Sequence, residues 1–377
     1  FFEKNNAQKK YPLLYDCGRS QRCCRCNRSH KEWGSKNKII AITYFLNDTS
    51  ILKMPNKLRN RTCWLVTEGF AGMENQCLGL AKALDLKFTF KKVDLRFPWK
   101  YLPAQLCFPA LTYLSVKTAS ISPPWPKILI SCGRMGAIIS KAIKKISKEK
   151  IFTIHIQNPR TNLRDFDLVI IPKHDGVTGK NVLLSDCAIH HITPKLLKKN
   201  KADFNRRFSV LPKPIVGVLV GGSSKSHKFN QSNLTELISK LKDLHNKTGC
   251  SFAISSSRRT GEEFVKLIKN SLKKIPKYVW NQRSANPYLG ILSSADTIIV
   301  TCESVSMISE ACATGKPVYL FQYEGKSKRI KKFHEMVYKR GYAKPLNDSL
   351  EKWTYKIPND TKIIASQIKT RFNKVVL

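Results

Sequence analysis

Three stretches in the second half of the chain place small, hydroxyl and charged residues directly after apolar runs. In Gly221-Gly222-Ser223-Ser224-Lys225 the glycines would let a backbone approach a phosphate closely. N–H groups and hydroxyls would then donate to its oxygens. The spacing matches neither G-x-x-x-x-G-K-[ST] nor G-x-G-x-x-G, and an ordinary glycine turn accounts for it equally well. The second stretch is Ser255-Ser256-Ser257-Arg258-Arg259-Thr260. Two guanidinium groups at a strand end suit bidentate phosphate recognition; a solvated basic turn is the alternative. The third runs from Thr301-Cys302-Glu303 through Ser304, Ser306 and Met307 to Glu310, and leaves through Thr314-Gly315-Lys316-Pro317. Ser304 and Ser306 can cap a helix and meet a diphosphate, and a buried Glu310 can hold a ribose diol. Simple capping, with Glu310 paired to a basic residue, is the plainer account. Hydroxyls, carboxylate and glycine exit occur together here, which makes this the most specific of the three.

The first half offers weaker candidates at its own strand ends. They are Glu68-Gly69 with Gly72, Asn75 and Gln76; Gly133-Arg134; Gln157 with Arg160; His174-Asp175; and His190-His191. A carboxylate or imidazole among them could act as general base toward an acceptor hydroxyl, with Glu68 and His174-Asp175 the leading choices. For any one taken singly, a structural role is the commoner outcome.

Strand ends matter because open parallel sheets bind ligands beyond the carboxyl ends of their strands. Apolar runs predict strands over 63–67, 88–93, 127–131, 151–156 and 168–171, with a helix over 75–84. Pro212 and Pro214 mark a boundary, after which the cycle restarts. Strands are expected over 215–220, 251–254, 278–280, 297–301 and 318–321, and a helix over 232–245. Alternation of strand and helix argues for parallel α/β architecture, and its repetition for two such domains. The expected division is a basic, cysteine-containing tail over 1–60, disordered or misannotated; one domain over 61–212; a second over 213–346; and a helical segment over 347–377 returning to the first domain.

Composition narrows the possibilities further. The chain has 377 residues, 42% hydrophobic, enough for two sizeable cores. No apolar run approaches the ~20 residues of a membrane span, and no clean signal peptide is present. The formal net charge is +41. Much of this fits the lysine-rich composition of AT-rich bacterial genomes, and the rest suits anionic partners such as a diphosphate or an acidic lipid surface. No nucleic-acid-binding motif accompanies the charge. Eight of the 12 cysteines are scattered through strand and helix patterns and read as buried small hydrophobes of a reducing compartment. Cys17, Cys23, Cys24 and Cys26 crowd the N-terminus with His30, but their spacing is not that of a usual zinc site, so no metal is expected.

Taken in order, several motifs resemble the mitochondrial-fission "elongated mitochondria" family and its bacterial relatives. They are Thr67-Glu68-Gly69 with Gly72 and Asn75-Gln76; Ser131-Cys132-Gly133-Arg134; Gln157 with Pro159-Arg160; Gly221-Gly222-Ser223; Ser257-Arg258-Arg259; Asn286-Pro287-Tyr288; and Ser304-Val305-Ser306-Met307 with Glu310-Ala311 and Thr314-Gly315-Lys316-Pro317. The resemblance covers about 62–346. The second half is also similar to GT-B glycosyltransferases acting on lipid-linked peptidoglycan precursors. By that likeness the fold is two Rossmann-like domains facing across a cleft, Ser223 meets a diphosphate and Glu310 a ribose. The sequence departs from the family pattern at Glu68 and Glu303, where Asp is usual, at Met73, where His is common, and at Cys187, where Gly is expected.

The resemblance implies a glycosyltransferase that takes a sugar from a nucleoside-diphosphate donor, without a further cofactor, and passes it to a lipid-linked or saccharide acceptor. The donor residues would be Gly221, Gly222, Ser223, Ser257, Arg258, Arg259, Ser304, Ser306, Met307 and Glu310. Gly69, Gly72, Asn75, Gln76, Gly133, Arg134, Gln157, Arg160 and His190 would line the acceptor side. The expected location is cytoplasmic, peripheral on the inner face of a bacterial membrane. The alternative it implies is a non-catalytic adaptor that recruits a dynamin-like protein to a membrane.

Overall fold

The computed structural model describes residues 57–375, apart from 109, 148–150 and 258. The N-terminal cysteine cluster and Arg258 lie outside the described residues, as does nearly all of the expected tail.

Two six-stranded sheets, parallel throughout, organise the rest. The first contains β1 (Thr62–Thr67), β2 (Lys87–Lys92), β3 (Ile128–Cys132), β4 (Phe152–Ile156), β5 (Leu168–Pro172) and β6 (Val182–Ser185), in the order β2-β1-β3-β4-β5-β6. Helices α1 (Ala71–Ala83) and α2 (Arg134–Ile146) cover its faces. The second contains β7 (Ile215–Val220), β8 (Ser251–Ser256), β9 (Lys277–Val279), β10 (Thr297–Thr301), β11 (Val318–Phe321) and β12 (Lys344–Pro345), in the order β12-β11-β10-β7-β8-β9. Its helices are α4 (Gln231–Thr248), α5 (Glu262–Ser271), α6 (Tyr288–Ser294), α7 (Val305–Cys312) and α8 (Lys328–Lys339). Helix α3 (Pro194–Phe208) precedes this sheet and α9 (Asp360–Val375) follows it.

Burial on both faces explains the composition of the central strands. β3, β7 and β10 are buried along their whole length, and a strand covered twice reads as a continuous apolar run. The edge strand β2 is mostly exposed instead, with Phe88 half-buried against the core and Phe90, on the same face, more exposed. The helix ends carry their own local signals. Asn230 and Asn233 form a reciprocal capping box at the start of α4, a device of about 1 kcal/mol.

The structure extends the sequence reading in several places. Helix α1 begins at Ala71 rather than near Asn75, because the loop after β1 needs only Glu68, Gly69 and Phe70. Strand β6 and helices α3 and α8 have no counterpart among the expected elements. Within the helical segment expected over 347–377, the helix begins only at Asp360; Trp353 ahead of it packs edge-on against Tyr319. Cys187, Ile192, Phe208 and Leu211 already pack with Ile215 and Leu219 of the second half, ahead of Pro212. Helix α9 returns to the first sheet, burying Ile364, Ile368 and Phe372 against it.

The two Rossmann-like halves therefore face each other across a cleft. Contacts cross it at several points. Asp175 accepts from Arg329 at 3.2 Å, Asp186 from Arg340 at 3.3 Å, and Ser309 Oγ from the Ala188 N–H at 3.0 Å.

Candidate functional site

Each sheet reverses its strand order once. In the second sheet the chain leaves β7 toward β8 and later returns to β10 on the other side of β7. The loops after β7 and β10 therefore diverge and leave a crevice, the usual ligand position in such sheets. Gly221 follows β7, and its N–H donates to Thr301 Oγ1 at 2.8 Å. Any Cβ on Gly221 would overlap Glu303 Oε1. Gly222 has φ of +89°, and a Cβ there would lie 2.7 Å from the Arg259 carbonyl carbon. Glycine at both positions thus follows from close packing of three loops.

Arg259 ties these loops together. Its guanidinium donates to the Ser223 carbonyl at 3.0 Å and to Glu303 Oε1 at 3.3 Å. Tyr323 donates to the other Glu303 oxygen at 2.8 Å. Burial pushes the Glu303 carboxyl above its ordinary value, and the bonds from Tyr323 and Arg259 pull it back. The Arg259 side chain is 43% exposed while that of Glu303 is fully covered, so positive charge sits at the lip of the crevice over an anchored carboxylate. The Ser257 hydroxyl donates to the Gly221 carbonyl and accepts from the Arg259 N–H. The Ser223 hydroxyl accepts from Phe229 N–H at 3.0 Å and donates to its carbonyl at 3.2 Å, closing the loop on itself.

Helix α7 opens on the same crevice. Ser304 is its N-cap, accepting from the Met307 N–H at 3.4 Å, while the Met307 side chain is half-buried against the core. Two turns on, Glu310 is buried with 4% exposure. It accepts a hydrogen bond from Asn75 Nδ2 at 3.1 Å and another from the Tyr288 hydroxyl. Burial raises its carboxyl to about 7, with the Tyr288 and Asn75 bonds acting in the opposite direction. Beside it, Gln76 Nε2 donates to Ser306 Oγ at 3.4 Å and to the Gly72 carbonyl at 3.1 Å. A Cβ on Gly72 would lie 3.5 Å from Ser306 Oγ. The first turns of α1 thus lie directly over those of α7, so Gly72, Asn75 and Gln76 meet Ser306 and Glu310.

The first sheet reverses between β1 and β3, and a carboxylate again meets a glycine there. Glu68 Oε1 accepts from the Met135 N–H at 2.9 Å, capping α2. Gly133 has φ of +83°, and a Cβ there would come within 3.0 Å of Glu68 Oε1 and 2.7 Å of Met73 sulfur. Gly69 packs against the Lys92 side chain, its N–H donating to Thr67 Oγ1. Arg134 donates to the carbonyls of Trp99, Lys100 and Leu102, which makes it the organiser of a loop. Gln157 donates its N–H to the Ile170 carbonyl, and Arg160, exposed, donates its own to Asn158 Oδ1.

The remaining candidates lie where the halves join. His174 packs on the Phe333 ring of α8 with centroids 5.1 Å apart, and its Nε2 is 3.7 Å from Asp175 Oδ1. Burial lowers its imidazole to about 4, and its Nδ1 has no partner. His190 exchanges backbone bonds with Thr361 Oγ1, and its imidazole is likewise lowered to about 4. The expected site residues therefore form two adjoining groups, one around Gly221 and Arg259 and one around Glu310, joined through α7. Glu68 and Arg134 organise the first sheet's crevice, whereas His174, Asp175 and His190 make their contacts with α8 and α9.

Sequence reasoning did not assign roles to Glu303, Tyr323 and Tyr288. Glu303 was visible as the residue before Ser304, and Tyr288 lies in the Asn286-Pro287-Tyr288 motif. Tyr323 carried no local signal, since it reaches Glu303 only because β11 pairs with β10.

The sequence profile described as mitochondrial fission ELM1 matches residues 71–372. The chain is 29% identical over 387 residues to mitochondrial fission protein ELM1 of Arabidopsis thaliana, covering 82% of this chain and 90% of that one. It is 28% identical over 345 residues to an uncharacterized protein of Rickettsia prowazekii (strain Madrid E), covering 81% and 97%. Among solved structures it is similar to the UDP-GlcNAc 2-epimerase of Methanocaldococcus jannaschii, with a TM-score of 0.50 and 11% identity, covering 83% and 99%. At that identity the likeness speaks of fold alone, the GT-B arrangement.

Proposed function

The chain belongs to the mitochondrial fission ELM1 family, and we propose that it uses its GT-B-like scaffold as a glycosyltransferase, moving a sugar from a nucleoside-diphosphate donor to a lipid-linked or saccharide acceptor. The carrying observation is the convergence of the Gly221-Gly222 loop, Arg259 and the capped start of α7 on one crevice, with the buried carboxyl of Glu310 beside it. Backbone N–H groups, a helix N-terminus and a guanidinium would stabilise the negative charge that develops on a departing diphosphate. Glu310 would accept from a ribose diol in place of Asn75 and Tyr288. The acceptor would enter from the first half, where Glu68 lies at the crevice between β1 and β3, and the basic surface would hold the enzyme against an anionic membrane at the cytoplasmic side. No helix among the described residues is long and apolar enough to cross a membrane.

One observation favours the second reading, a binding adaptor without turnover. Glu310 and Ser223 already have internal partners, so donor binding must displace bonds the protein makes with itself. The test is thermal stabilisation of the full chain by a panel of nucleoside diphosphates and their sugars, with UDP and UDP-GlcNAc first, beside Glu310→Ala. A selective shift that the variant loses supports the donor site. A folded protein unmoved by every nucleotide sinks that reading and leaves the adaptor.

A further inference from the structure

Neighbouring strand ends of the second sheet each send one residue into a single network. In the order β11-β10-β7-β8 these residues are Tyr323, Glu303, Gly221 and Arg259. The Tyr323 hydroxyl donates to Glu303 Oε2 at 2.8 Å, and Glu303 Oε1 accepts from Arg259 at 3.3 Å. Gly221 leaves the room that the carboxylate fills. As a stabilising device such an ion pair is weak, because taking a carboxylate out of water offsets what the pairing returns, and Arg259 still reaches solvent. What the network fixes is direction. An exposed arginine has many rotamers; this one is tied at both terminal nitrogens, to the Ser223 carbonyl and to Glu303. Among the described residues these are the guanidinium's hydrogen bonds, so most of its planar fork of donors remains for a ligand.

The anchor is itself anchored. Tyr323 packs against Phe229, Phe321 and His227, with ring centroids 5.2, 6.2 and 5.9 Å away. His227 and Gly325 form an antiparallel bridge, and the Lys326 N–H donates to the Ser226 carbonyl at 2.9 Å, which joins the loop after β11 to the loop after β7. The tyrosine ring is thereby held. Its hydroxyl stays a donor, because burial and the neighbouring Glu303 carboxylate push it above its ordinary value. Without that donor the covered carboxylate would be freer to turn or to take up a proton, and the guanidinium would lose its fixed partner. We infer that Tyr323 is a positioning residue, which through Glu303 holds the Arg259 guanidinium where it receives a diphosphate. A planar fork set in advance matches two phosphate oxygens at once and loses less freedom on binding. That the diphosphate belongs to a nucleotide rests on the proposed donor reading; the positioning itself does not depend on the base.

The test is isothermal titration of the full chain with inorganic pyrophosphate at fixed salt, for the wild type, Arg259→Ala, Tyr323→Phe and the double variant. Phenylalanine keeps the ring contacts of Tyr323, so the variant should fold. Arg259→Ala is expected to weaken pyrophosphate binding about tenfold or more, and Tyr323→Phe about threefold or more. In the Arg259→Ala background, Tyr323→Phe should change nothing further, because the hydroxyl acts through the guanidinium. A general loosening of the glycine loop would instead lower affinity by the same factor in both backgrounds. The inference is overturned if the wild type does not bind pyrophosphate, if Arg259→Ala binds it as the wild type does, or if the hydroxyl's effect persists without Arg259. It is also overturned if Tyr323→Phe binds as tightly or more tightly, the outcome expected if Glu303 served as a charge competing with the anion. Thermal stabilisation by UDP, measured on the same samples, reports separately on the donor reading. UDP stabilisation without pyrophosphate binding keeps that reading and removes the positioning role. Pyrophosphate binding that follows the expected pattern, with no response to any nucleotide, does the reverse.

Discussion

Asn75 Nδ2 lies 3.1 Å from Glu310 Oε1, and this bond joins the two halves of the protein at the mouth of the candidate donor crevice. Asn75 stands on the second turn of α1 and Glu310 on α7, 235 residues apart. A diol engaging Glu310 would share this carboxyl with Asn75 or replace it, which would link ligand binding to the contact between halves.

That carboxyl carries a pH signature. Its folded-state value of about 7 lies above the ordinary 4.5, so the folded protein holds the proton more tightly than the unfolded chain. The resulting stability is present below about 4.5 and is lost as pH rises toward about 7, a difference of about 3 kcal/mol. Glu310→Gln keeps a neutral side chain of the same shape. Relative to wild type it should gain stability with rising pH across this window, as read by urea unfolding at a series of pH values. Parallel curves for the two proteins would contradict the assignment.

Gly221 and Glu303 compete for one volume. Gly221→Ala is expected to destabilise by about 2–4 kcal/mol, the range for overpacking next to a buried charge. Shortening the carboxylate with Glu303→Asp should recover part of that loss. Thermal or chemical denaturation of the four proteins in the cycle should give a coupling of about 1 kcal/mol or more; strict additivity would mean the two residues do not collide.

Acid sensitivity should reside partly in His174. Its imidazole is lowered from 6.5 to about 4 among Phe333, Asp175, Arg329 and His334. Its contribution is therefore present above about 6.5 and is lost as pH falls toward 4. His174→Phe should flatten the stability curve in that range by about one proton's worth of slope, measured by denaturant midpoints. His155, His190, His191, His227 and His334 shift the same way and contribute to the slope that remains.

Arg134 should prove structural. Its guanidinium satisfies three backbone carbonyls of the excursion after β2, and charged hydrogen bonds of this kind are worth about 1.5–3 kcal/mol each. Arg134→Ala should lower stability by about 2–4 kcal/mol overall and raise amide exchange selectively over 97–108. Uniform exchange across the protein would deny Arg134 this local role.

Much of the fold was legible because parallel strands buried on both faces leave unbroken apolar runs. Cys63-Trp64-Leu65-Val66, Ile215 to Val220 and Thr297 to Thr301 could hardly be anything else. Strand β6 was missed because Val182-Leu183-Leu184-Ser185 is short and Leu184 points outward. Helix α3 was missed because its lysines and arginines mask a stripe of Leu196, Leu197, Phe204 and Phe208.

What the sequence determined by itself was local: where strands end, which loops contain glycine, and that Ser304 could cap a helix. Those properties depend on neighbours along the chain. The tertiary structure decided which strand ends meet. Tyr323 finds Glu303 because β11 lies beside β10, Arg259 reaches both the glycine loop and Glu303 because β8 lies beside β7, and Asn75 reaches Glu310 because two helices from different halves share one surface. Hydrogen bonds act over about 3 Å, whereas these partners are tens to hundreds of residues apart in sequence, so only the packing of the two sheets could bring them together.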